Sequence, residues 1–451
     1  MIFRIPLGRD PGFKERVDIQ DRLLAALRRY CQTLPDRRQG QNARYAMADF
    51  ALAAFAPFFM QSPSFLAHQR HLETGQGRSN CQTLFGIAKI PGDTQIRTQL
   101  DAVDPALFNP MFGDIVAELE QCGGLEEMRV LDGNILIALD GTEYHCSDKI
   151  HCPGCSHRKR GKTKIEYFHT MLAATVVAPG HNRAVPLEPE FIVPQDGHDK
   201  QDGHDKQDCE SRAVRRWLSA HAARYARLKP VYLGDDLFSR QPICQAVLET
   251  GGHFLFVCKP DSHPAIEEYR IGIPLDERTD TFKRGKKWVT HRYQWLCGVP
   301  LRGGANAINV NWLMIEIRND KGEVTYRNSF VTDLPVNRET VAELAACGRA
   351  RWKIENEAFN VMKTKGYNLE HNFGHGQQNL SSVLATLNLL AFACHTVCDL
   401  GGRAWRAARR TLVTRTGFFH HLRAITTYLV FPSWDHLLGT LAFTRPPPLA
   451  P

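Results

Sequence analysis

Three kinds of hydrophobic pattern follow one another along the chain. From the start to about Gly124, apolar residues recur at helical spacing. IQDRLLAALRRYCQTL (19–34) carries one apolar stripe, and MADFALAAFAPFFM (47–60) is apolar on every side and is expected to be buried. IPGDTQIRTQLDAV (90–103) breaks at Pro-Gly, offers Asp93 or Thr94 as an N-cap, and continues as a helix. After Glu126 the pattern shortens into apolar runs. NILIALD (134–140) reads as a strand ending on an Asp, followed by YFHTMLAATVVAP (167–179) and AVPLEPEFIVP (184–194). A helix over 208–226, the strand PVYLGDD (230–236), a helix over 241–249 and the strand HFLFVCKP (253–260) complete this part.

Between about 265 and 335, KKWVTHRYQWLCGV, INVNWLMIEIRN and EVTYRNSFVTDL alternate as strands do. From Arg338 to Leu400 the chain reads as helix. The expected organisation is therefore a helical segment over 1–125 and an α/β unit over 126–262 and 338–400. The unit is interrupted by a β-rich insertion over 263–337, and 401–451 forms a basic helical tail ending in PPPLAP. The N-terminal helices read equally as a packing appendage or as a contact for DNA ends. Buried apolar strands alternating with helices predict an α/β fold with a mixed sheet, part of it parallel and flanked by helices.

Composition narrows the setting without choosing a function. The chain has 451 residues, room for two or three domains, and 56 Lys and Arg against 48 Asp and Glu give a charge of +8. That is a mild lean towards an anionic partner. The 13 Cys show no framework-like spacing, which predicts a reducing, cytoplasmic setting. The first 20 residues lack a secretory apolar run, and no stretch nears the roughly 18 consecutive apolar residues of a membrane span, so no membrane partner is expected.

Candidate chemistry sits at the strand ends. Asp140 follows LIAL and Asp235 follows VYLG, where a turn or cap is the plain reading of each. A third element changes the weight: RWKIENEAFNVMK (351–363) puts Arg351, Glu355, Phe359 and Lys363 four residues apart along one stripe. Glu357 would point about 200° away from Arg351, so Glu355 is the choice there. Asp235 is chosen over Asp236 because it directly ends its strand. Three converging carboxylates repel one another unless cations neutralise them, and hard oxygen ligands suit Mg²⁺ or Mn²⁺. Arg351, Lys363 and Lys365 would complement phosphate charge.

On these residues the chain resembles the DDE transposases of bacterial insertion sequences. The matching stretches are LIALDGTEYHCS, YLGDDLF, and RWKIENEAFNVMK followed by GYNLEHNFGHG (366–376), within about residues 80–400. Lys363 stands one place beyond the signature's Lys position, which Met362 occupies. The resemblance implies a ribonuclease H-like catalytic domain with a β-rich insertion. It implies Asp140, Asp235 and Glu355 as catalytic, Mg²⁺-holding residues. It also implies metal-dependent DNA cleavage and strand transfer, with terminal inverted repeats and target DNA as partners and a dimer assembled on DNA. A non-catalytic DNA-binding protein and a nuclease without strand transfer are the alternatives.

Two other stretches draw attention. CSDKIHCPGCSH (146–157) holds Cys146, Cys152, Cys155 and His157. This is a candidate Zn²⁺ set, weighed against a plain loop of reduced Cys. The basic HRKRGKTK (157–164) that follows could track a DNA backbone or form a solvated hairpin. QDGHDK at 195–200 recurs letter for letter at 201–206, which reads as a tandem duplication in a loop rather than a metal site on His198 and His204. Asp208 and Glu210 are expected to cap the helix that follows, with a role near the active site as the alternative. His371 and His375 are expected in a structural or DNA-contacting turn.

Overall fold

The computed structural model describes residues 18–38, 44–65, 67–68, 75–161, 164–194 and 208–443. The duplicated hexapeptide and the terminal PPPLAP lie outside them. The fold is mixed α/β, with one large mixed sheet flanked by helices. Its strands are β1 (Ile135–Ser147), β2 (Ser156–Arg160), β3 (Lys164–Val177), β4 (Val185–Ile192), β5 (Pro230–Gly234), β6 (His253–Val257), β7 (Asp276–Arg284), β8 (Lys287–Pro300), β9 (Asn309–Arg318) and β10 (Val324–Thr332). They lie in the order β2-β3-β1-β5-β6-β10-β9-β8-β7, with β4 also pairing to β3.

The sheet changes sense at its centre. β1, β3 and β4 form an antiparallel meander, while β5 pairs parallel to β1 and β6 parallel to β5. Parallel neighbours need crossovers, and helices Glu210–Tyr225 and Gln241–Glu249 supply them. Strands in the parallel part are buried on both faces, which explains their unbroken apolar runs.

One expectation needs correction. β1 does not end at Asp140. It runs on through GTEYHCS to Ser147, because β3 pairs with it along that whole length. The strands of 263–337 extend the same sheet, because β10 pairs antiparallel with β6. The far strand β7, DERTDTFKR, is mostly exposed and charged, which keeps this edge from pairing with another chain.

The helical layer draws on both ends of the chain. Leu380–Gly401 packs against Met47–Phe59, Asn109–Gln121 and β4, all within one continuous apolar core. Leu380–Gly401 is long and apolar enough to cross a membrane, yet 89% of its apolar window is buried inside the protein. Its start is capped from afar: the Asp101 carboxylate accepts backbone N–H groups from Gln377, Gln378, Asn379 and Leu380 at 2.9–3.0 Å. The tail does not fray before Phe443. Helices Arg403–Thr411, Arg415–Tyr428 and Trp434–Phe443 bury Trp405, Phe418, Phe419 and Trp434, and the Trp434 indole donates to the Leu84 carbonyl. Part of the tail's positive charge turns inward, with Arg409 and Arg415 each 3.6 Å from the buried Asp399.

Candidate active site

The parallel pair β1–β5 sets the first two acids side by side. Leu136 faces Val231 and Ala138 faces Leu233, so Asp140 and Asp235 lie two residues beyond the last paired positions on adjacent strands. Residues 135–139 and 230–234 are wholly buried, and Asp140 is the point where β1 meets the surface. Asp235 begins a tight turn: its Oδ1 accepts the Leu237 N–H at 2.9 Å. Asp236 is occupied elsewhere, accepting the Lys259 N–H and the Ser262 hydroxyl at 2.6 Å each and facing His263.

The third acid comes from the helical run after β10. Ala350–Trp352 is a 3₁₀ turn, Ile354–Phe359 a π-helical turn and Asn360–Thr364 an α-turn. Wide turns of this kind recur at functional sites. Ile354, Ala358 and Met362 are buried, which leaves Glu355 exposed. Arg351 lies between the two acids, with Nη1 2.9 Å from Asp140 Oδ2 and Nη2 3.4 Å from Glu355 Oε1. Asp140, Thr142, Glu143, Glu355, Asn360 and Lys363 line an open cleft of about 450 Å³.

Electrostatics tie a fourth carboxylate to these three. Burial is the main cause that raises the Asp140 pKa from 3.8 to about 7. Arg351 opposes the rise, and the charges of Glu355, Glu210 and Asp235 add to it. Glu210 is raised as well, by burial first and then by Asp235. Glu210 opens the Glu210–Tyr225 helix, and its carboxylate lies against the backbone beside Asp140. A Cβ on Gly141 would come within 1.9 Å of Glu210 Oε1, so any side chain there would displace this carboxylate from its place. Glu210 was expected as a cap; no side-chain cap bond forms at this helix. Asp208 is no cap either, being paired with Arg216 at 2.8 Å. Glu210's local context reads as an acidic first turn, and only the packing of its helix on the sheet brings it to Asp140.

The three cations expected to meet phosphate are placed differently from one another. Arg351 is held by the acids. Lys363 lines the cleft but pairs with Glu370 at 2.7 Å, and Lys365 is exposed outside it. In the basic hairpin, Arg158 pairs with Glu143 and Glu166, Arg160 with Glu166, and Lys164 with Asp148. Much of its charge is therefore already answered.

The cysteine cluster regroups. Cys152 and Cys155 come together, but with His169 of β3 and His375 rather than with Cys146 and His157. Cys146 is exposed near Arg158, and His157 points outward from β2 against Tyr167. His375 is thus no simple turn residue, while His371 packs on Phe373.

No protein-family model matches the chain, and no curated protein matches it. Among solved structures, the chain is similar to the cryo-EM structure of the piggyBac transposase synaptic complex with hairpin DNA. The identity is 8%, the coverage 90% of this chain and 78% of that one, and the TM-score 0.38. At that score the likeness is loose, and no functional conclusion rests on it.

Proposed function

We propose that this chain is a DDE-type transposase, cutting DNA at the ends of an insertion sequence and joining them to target DNA. The observation that carries the reading is Asp140 at the exit of two parallel strands, with Asp235 on the neighbouring strand and Glu355 and Glu210 near enough to raise its pKa, beside an open cleft that Asp140 and Glu355 line. The meander β1-β3-β4 followed by parallel β5 and β6 supports a ribonuclease H-like core.

Oxygen donors of this kind suit Mg²⁺ or Mn²⁺, and a carboxyl pushed to about pH 7 by burial and like charge is what a hard dication relieves; Arg351 now stands between Asp140 and Glu355, so the acids would have to close on an ion. Asp140, Asp235 and Glu355 would hold such ions, which would supply Lewis-acid polarisation of a phosphodiester. The chain's own residues do the rest. Arg351 holds the Asp140 and Glu355 carboxylates a fixed distance apart, and Glu210 keeps the Asp140 site electronegative. Lys363 is the cleft's own cation, released towards a phosphate when Glu370 lets go. Terminal inverted repeats and target DNA are the partners, with two copies of the chain pairing the two ends.

A second reading, a DNA-binding protein that has lost catalysis, is favoured by the duplicated hexapeptide ending only four residues before Glu210. One experiment separates the two. DNA flanking the gene is incubated with the protein and Mg²⁺ or Mn²⁺, alongside Asp140→Ala, Asp235→Ala and Glu355→Ala. Cleaved and joined products from the wild type, with variants that bind DNA but do neither, support the transposase. Cleavage without joining points to a nuclease, and binding without cleavage in either metal sinks the catalytic reading.

A further inference from the structure

We infer that Cys152, Cys155, His169 and His375 form a structural zinc site that fastens the β1–β3 hairpin to the segment following the Glu355 helix. This inference is independent of the proposed DNA chemistry. The four side chains come from three separate places. Cys152-Pro153-Gly154-Cys155 is a tight turn closed by the Cys155 N–H on the Cys152 carbonyl, with Pro153 where such turns favour it. His169 lies on β3, and His375 follows the Asn360–Thr364 turn by eleven residues.

Their spacing is that of a tetrahedral centre. Sγ to Sγ is 3.9 Å; His169 Nε2 lies 3.4 Å from Cys152 Sγ and 3.3 Å from Cys155 Sγ; His375 Nε2 lies 3.4 Å from Cys155 Sγ. With Zn–S near 2.3 Å and Zn–N near 2.0–2.1 Å, a tetrahedron requires about 3.8 Å between sulfurs and about 3.6 Å between sulfur and nitrogen. All four ligand atoms lie within 4.8 Å of one another. A disulfide would need the sulfurs at about 2.05 Å.

Charge and burial agree with zinc. All four residues are buried. Two thiols that lose their protons to solvent and two neutral imidazoles balance a dication to zero net charge, which a buried site tolerates. No carboxylate belongs to the group, which separates it chemically from the acidic cleft and suits a softer ion than Mg²⁺. Four protein ligands leave no open position, so the site is structural. His169 is further steered by stacking on Tyr144, with ring centroids 5.6 Å apart and planes 10° apart. Because Asp140 and Tyr144 share β1, and His375 lies between the Glu355 helix and Leu380–Gly401, the metal would lock together the elements that carry two of the acids.

The test uses the full chain purified without chelator. Elemental analysis should find about one zinc per chain, and Co²⁺ exchanged into it should show tetrahedral d–d absorption with thiolate charge transfer. Cys152→Ser and His375→Ala should lose the metal, while Cys146→Ser and His157→Ala keep it. In case those ligand variants fail to fold, the wild type is stripped with a strong chelator and followed by hydrogen exchange. Protection over 366–379 should fall on stripping and return with Zn²⁺. Metal-free protein that takes up no Co²⁺, a Cys152–Cys155 disulfide in the mass spectrum, or unchanged exchange after chelation would each overturn the inference. So would loss of the metal in Cys146→Ser.

Discussion

Replacing Asp140 by Asn should stabilise the protein while abolishing its chemistry. In the fold the Asp140 carboxyl titrates at about 7 instead of 3.8, chiefly because it is buried, with neighbouring carboxylates adding to the rise and Arg351 resisting it. A raised carboxylate has no effect on stability below the unfolded value. Its cost grows as pH climbs from about 4 to about 7 and is complete above that. At 1.36 kcal/mol per tenfold change in ionisation, the full shift is worth about 4 kcal/mol, and relaxation of Glu355 and Glu210 brings the expected gain to roughly 2–4 kcal/mol. Unfolding entropy near 2.1 cal/mol/K per residue gives about 0.9 kcal/mol/K for 451 residues, so Tm should rise by roughly 2–4 °C. Scanning calorimetry in chelator at pH 8 would read this directly, with the gap closing towards pH 4.5. Saturating Mg²⁺ should raise the Tm of the wild type and barely move that of the variant, since only the wild type keeps the full donor set. A variant no more stable than wild type at pH 8, or a gap independent of pH, would refute the picture of a strained acidic cluster.

Gly141→Ala tests the placement of Glu210. The new methyl must push that carboxylate, the far end of a flexible side chain, away from Asp140, with little change in stability. Metal-dependent DNA cleavage should fall at least tenfold with the circular dichroism spectrum unchanged; undiminished cleavage would remove Glu210 from the site. Asp101→Ala uncaps the long Leu380–Gly401 helix and should cost about 2–3 kcal/mol in urea unfolding, with Asp101→Asn recovering part. Burial pushes the Asp101 pKa up, but the four backbone N–H groups outweigh it and bring the pKa below its ordinary value. The stabilisation therefore holds above the usual carboxylate range and disappears as pH falls through the lowered value. A cost for Asp101→Ala that persists unchanged in strong acid would contradict this account.

Local pattern was enough where each element's environment is uniform. The strands β5 and β6 stand where unbroken apolar runs placed them, because burial on both faces leaves one period to read, and the helix Gln241–Glu249 stands where its one apolar stripe placed it. It failed where the environment changes within one element. β1 is buried on both faces to Leu139 and then only partly buried, so a strand-ending reading of Asp140 mistook a change of surroundings for a change of structure. The metal-type cluster was half legible. The CPGC turn is local, whereas His375 lies 220 residues from Cys155 and no spacing rule connects them. Helical i, i+4 spacing put Arg351 beside Glu355, and the two do meet, but the π-helical turn that shapes this part of the cleft left no mark in the apolar pattern.

The Met47–Phe59 helix has a consequence for how the protein is made. Every residue in it is buried, and its principal partner, Leu380–Gly401, begins roughly 320 residues later in the chain. At about 5–20 residues per second, the ribosome delivers that partner some 15–65 seconds after the helix itself has been made. Throughout that interval the nascent chain holds an apolar cylinder that its earlier neighbours, Ile19–Gln32 and Asp93–Leu100, cover only in part. Synthesis of this protein should therefore depend on a holding chaperone that engages the early helix and releases it only when the last third of the chain arrives.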